Sequence, residues 1–91
     1  MNGPATARVL AFAADAMVIE PALDLDSAVR LAVWDDPDAP FPQAGADGAE
    51  VFADAMAVLH DAFRSRAAGV SREGDIEVVR AEAMRLVSVP R

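Results

Sequence analysis

Apolar positions along the chain recur in steps of three and four, in four blocks separated by prolines, glycines and acidic clusters. That period is helical, and no segment alternates strongly enough to compete as a strand. The first block predicts a helix from about Pro4 to Glu20. Pro4 suits a first turn, where its missing N–H costs nothing, and Pro21 ends the helix by biasing Glu20 away from helical angles. Between Val9 and Ile19 the only charge is Asp15. A helix apolar on most sides is expected to be buried on most sides, as a central helix or one shared with a partner.

The second helix is predicted to start near Asp24 or Asp26, either of which can cap free N–H groups, and to end before Pro37. Leu25, Ala28, Val29, Ala32 and Val33 share one face, with Leu31 and Trp34 to its side. Residues 36–46 hold three prolines and read as an extended crossover, with Phe41 between Pro40 and Pro42. A third helix of roughly 20 residues, about 30 Å long, follows Asp47-Gly48-Ala49-Glu50, a pattern similar to a capping box. Val51, Phe52, Ala55, Met56, Leu59, Ala62 and Phe63 form its stripe, and Gly69 is a plausible stop. The fourth is predicted from about Ser71 to Ser88, with Ile76, Val79, Ala83, Leu86 and Val87 inward. Val78 falls off that stripe as an exposed apolar spot. Glu77 with Arg80, and Glu82 with Arg85, are spaced to pair on the outside. The expected fold is all-α, one compact bundle of about four helices spanning 1–91, with a Pro-rich crossover between helices 2 and 3.

Composition narrows the function classes. The 91 residues include no cysteine, so disulfides and thiolate metal sites are out, and a cytoplasmic setting fits. The 54% hydrophobic content is swollen by 21 alanines, which favour helix but bury little area each. All eight basic residues are arginine, a bias that points to a GC-rich coding genome. Net charge is −7, and it is uneven: two arginines face ten acids in residues 1–59, six face five in residues 60–91. An acidic chain repels phosphate backbones, which argues against nucleic acid as a partner. There is no membrane-spanning stretch, and Met1-Asn2-Gly3-Pro4 lacks the charged start of a signal peptide.

Candidate chemistry is sparse. His60, the single histidine, precedes Asp61; such a pair occurs in metal-dependent phosphohydrolases, but one histidine and no cysteine leave no zinc ligand set. Asp35, Asp36 and Asp38 lack the spacing and central glycine of a calcium loop. No cofactor or metal is expected. Leu25-Asp26-Ser27-Ala28 resembles the Asp-Ser-Leu motif of acyl carrier proteins, a family of small, acidic, four-helix chains. The resemblance implies phosphopantetheine on Ser27. Ala28 stands where that family has leucine, few residues separate the first two helices where the family has a long loop, and Asp and Ser are common first-turn residues in any helix. Arg64, Arg66 and Arg72 cluster around the turn between helices 3 and 4 and are candidates for an anion contact. A DNA-binding regulator would need all three on one exposed face.

Phe12, Trp34, Phe41 and Val78 are the candidate interface residues, since aromatic residues dominate many interfaces. These readings favour a non-enzymatic protein-binding module acting through an apolar helical surface. Its partner would be another protein or a second copy, with a dimer favoured; an antitoxin, an immunity protein or a complex subunit would fit. The alternatives are a carrier modified at Ser27 and a small helical enzyme whose site is shared between subunits.

Overall fold

In a computed structural model the protein is described over residues 3–40, 47–65 and 71–88, and the statements below concern those residues. Four helices follow one another: α1 (Gly3–Ile19), α2 (Leu25–Trp34), α3 (Ala49–Ser65) and α4 (Arg72–Ser88). The described residues contain no strand. The 12.4 Å radius of gyration is that of a single folded body of this length, about 12 Å.

Local chemistry sets the boundaries. Asp24 caps α2, its carboxylate accepting from the Ser27 N–H at 2.8 Å. Both the backbone N–H and the hydroxyl of Ser27 hold the Asp24 carboxyl below its ordinary range, with help from the positive charges of Arg30 and Arg72. Asp35 ends α2 in the left-handed region at φ 57°, its N–H returning to the Leu31 carbonyl at 2.8 Å. Ser71 caps α4, accepting at its hydroxyl from the Gly74 N–H at 3.0 Å. The capping box expected around Asp47 does not form as drawn: Gly48 takes φ +83° and lies outside the helix, so α3 begins only at Ala49. The predicted stop at Gly69 and the aromatic Phe41 lie outside the described residues.

As expected of a central helix, α1 touches each of the other three, α4 most extensively. Its inward face is Thr6, Ala7, Leu10, Ala13, Ala14 and Met17. Leu10, Ala13, Ala14 and Met17 form one cluster with Ala28 and Val29 of α2, Phe52, Ala55 and Leu59 of α3, and Val79 and Ala83 of α4. α1 and α4 run antiparallel: Arg72, at the start of α4, bonds the Met17 and Glu20 carbonyls at the end of α1. Further along, Arg80 pairs with Asp15 at 2.9 Å.

α4 differs from the stripe its sequence suggests. Val78 is buried, at 8% exposure, and Val87 is open, at 72%. The buried face (Val78, Val79, Glu82, Ala83) is rotated by roughly 60° from the expected one, at 100° per residue. Val78 is therefore core and offers no apolar spot to a partner. Glu82 is buried too, and its pair with Arg85 at 2.8 Å forms with the carboxylate inside rather than on the outer surface. Arg80, expected to pair with Glu77, instead reaches Asp15 on α1.

Candidate protein-binding surface

The residues singled out from sequence part company in three dimensions. Trp34 closes the α2–α3 contact. Its ring packs on Phe52 with centroids 5.1 Å apart and planes at 41°, and its indole N–H donates to the Asp47 carbonyl at 2.8 Å. Arg30 lies over the Phe52 ring, 5.4 Å from its centre, and donates to the Ala39 carbonyl. Ala39 lies within the Pro-rich crossover, before its last two prolines, and Asp47 follows it, so α2 holds the crossover at both points. A tryptophan with its ring and its one donor both engaged inside the fold is spent on that fold.

Of the three arginines, Arg72 and Arg64 are described, and they take different settings. Arg72 donates from one guanidinium nitrogen to the Met17 carbonyl at 2.7 Å and the Glu20 carbonyl at 2.9 Å. It satisfies the open carbonyls at the end of α1, a cation on the negative end of a helix dipole, and this replaces the anion contact expected of it. Arg64 is exposed in the last turn of α3, and Arg66 lies outside the described residues.

Ser27 is tied into the Asp24 cap. His60 is exposed on α3, and Asp36 accepts from the Asp38 N–H at 2.9 Å, a local turn. Among the described residues no group of three or more His, Cys, Asp or Glu is placed to hold a metal ion, and no helix is long and apolar enough to cross a membrane.

Phe12 remains, and it lies on the helix that the sequence offers as one shared with a partner. α1 was expected to be buried on most sides; one side is buried and the other is open. Phe12 is 49% exposed, and Val18 and Ile19 are more so, Ile19 at 81%. With Pro4, Ala5, Arg8, Ala11 and Asp15 they fall within one stripe opposite the core face. Grooves flank the stripe. One of about 590 Å³ lies toward α2, between Phe12 and Ile19 on one wall and Leu23, Leu31 and Pro37 on the other. Another of about 300 Å³ lies toward α4, where Ala7 and Ala11 face Ala83, Met84 and Val87. Met84 and Val87 are themselves exposed, extending the apolar area across α4. The signal for this surface is in the sequence: α1 carries apolar residues on both faces, and the described residues bury only one of them.

Comparison of the chain with protein-family models, with curated proteins and with solved structures finds no match.

Proposed function

We propose that the protein is a small non-enzymatic binding module that docks another protein surface on the outer face of α1, flanked by Met84 and Val87 of α4. One observation carries this: Phe12, Val18 and Ile19 stand exposed on a helix whose opposite face already fills the core. Contiguous exposed apolar area of this kind marks interaction sites on soluble proteins. Trp34, whose contacts are internal, supports the fold of the module and is no part of its docking face.

The test is native mass spectrometry of the chain isolated gently from its own host, beside the Phe12→Glu variant. The expected result is an assembly heavier than the 9.5 kDa chain. The variant is expected to run at 9.5 kDa with its helical circular dichroism intact. A native chain found only as a monomer at concentrations up to about 1 mM would overturn the proposal. So would an assembly indifferent to Phe12→Glu.

A further inference from the structure

The open face of α1 has a seven-residue repeat. Pro4, Ala11 and Val18 occupy one position of it, Ala5, Phe12 and Ile19 the next, and Arg8 and Asp15 a third. Arg8 and Asp15 each lie three and four residues beyond an apolar pair, so apolar and charged side chains share this one face. The stripe as a whole is neutral, with one arginine and one aspartate, although the chain carries −7. Overall repulsion between two copies is screened beyond about 8 Å at physiological salt.

The order of the residues along the stripe selects the occupant. Laid antiparallel on a copy of itself about a twofold axis midway between Ala11 and Phe12, α1 brings Arg8 beside the Asp15 position and Phe12 beside the Ala11 position of the other chain. In the same register Ala5 meets Val18 and Pro4 meets Ile19. Opposite charges meet, and at three places a larger side chain meets a smaller one. A parallel arrangement would oppose Arg8 to Arg8 and Asp15 to Asp15. The surroundings agree. Ala11 forms one wall of the 300 Å³ hollow floored by Ala83 and rimmed by Met84 and Val87, a receptacle for a phenyl ring entering from outside. Arg8 makes no ion pair among the described residues, whereas Asp15 holds Arg80 through Oδ1.

Resting on the binding-module reading, we infer that the surface seated on α1 is a second copy of this chain, in an antiparallel α1–α1 pairing with reciprocal Arg8–Asp15 contacts. Such a contact is self-complementary and closes at two subunits. A pair of single helices lies at the small end of interface sizes, so the dimer should dissociate in the micromolar range, on the order of 10–100 µM.

Sedimentation of the purified chain up to about 1 mM tests this. The wild type should pass with concentration from 9.5 kDa to twice that mass. R8E alone and D15K alone, each with circular dichroism confirming the fold, should bind themselves roughly tenfold more weakly, because the symmetry makes each change act twice. Mixed one to one, the R8E and D15K chains should form a heterodimer of near wild-type affinity, since each again meets its opposite charge. A wild type that stays at 9.5 kDa throughout would overturn the second copy as occupant. The binding-module reading would then rest on the Phe12-dependent assembly from the host. Dimerisation indifferent to R8E and D15K, or singles that fail without rescue on mixing, would overturn the antiparallel pairing.

Discussion

Replacing Gly48 by alanine should be among the most damaging small changes in this chain. Gly48 takes φ +83°, where a residue with a Cβ pays about 1–2 kcal/mol. A Cβ there would also sit 2.5 Å from Val33 Cγ1 and 2.9 Å from Trp34 Nε1, well inside contact distance. Both obstacles are held: Val33 packs against the core, and the Trp34 ring is fixed by Phe52 and the Asp47 carbonyl. Forcing such neighbours aside typically costs about 1–3 kcal/mol. Alanine's lower freedom in the unfolded chain returns about 0.4–1 kcal/mol. The net loss should be about 2–4 kcal/mol, a large share of the roughly 5–15 kcal/mol by which domains are stable. At about 4–8 °C per kcal/mol, Tm should fall by roughly 8–32 °C. Urea unfolding followed by Trp34 fluorescence is the assay, since the one tryptophan lies against the altered residue. Gly3→Ala, where a Cβ meets open space, is the control and should change stability by under about 0.5 kcal/mol. A loss below about 1 kcal/mol for Gly48→Ala would refute the reasoning that its positive φ and its held neighbours leave no room for a Cβ.

Asp24→Ala should cost about 1 kcal/mol near neutral pH by removing the α2 cap, while Asp24→Asn should keep most of it. Because the folded-state carboxyl titrates below its unfolded value, its contribution is complete above the unfolded pKa and is lost as pH falls through the lowered folded one. The acid limb of wild-type stability below about pH 4 should therefore be steeper than that of Asp24→Asn, and parallel limbs in urea titrations would count against the cap. Arg72→Ala should lose about 1–2 kcal/mol through its two carbonyl bonds at the end of α1, against under about 0.5 kcal/mol for Arg64→Ala. Equal losses in thermal melts would mean that both arginines are surface charges.

The helices and their order were legible because proline, glycine and capping acids punctuate them strongly, and α3 was read nearly residue by residue. Phe52, Ala55, Leu59 and Ala62 are buried as their spacing implies. That helix carries large apolar residues on one face and charges on the other. α4 was misread because its apolar side chains are mostly valine and alanine, small enough to suit either side of a boundary. The face was decided by which rotation lets α4 approach the alanines of α1, a tertiary choice without local trace. Trp34 was placed correctly at the edge of the α2 face, but its role depends on the Asp47 carbonyl, thirteen residues on across a proline crossover. The open face of α1 was hidden by its own abundance: a helix apolar all round says that it is covered, without saying by what.

Eight of the fifteen buried hydrophobic residues among those described are alanine: Ala7, Ala13, Ala14, Ala28, Ala39, Ala55, Ala62 and Ala83. Alanine loses no side-chain rotamer freedom on burial, so this interior orders cheaply for the area it hides. It also lets helix backbones come close, leaving no flexible side chains between them to yield. The usual vulnerability of a small domain is thereby reversed. Most cores are threatened by mutations that shrink a residue, whereas this one has few large residues to lose and many small ones that must not grow. A lineage carrying this fold would be constrained at its alanines more than at its few large residues. Variation there would run between alanine, glycine and serine, whose volumes differ least, while valine or threonine in place of the seam alanines would be purged.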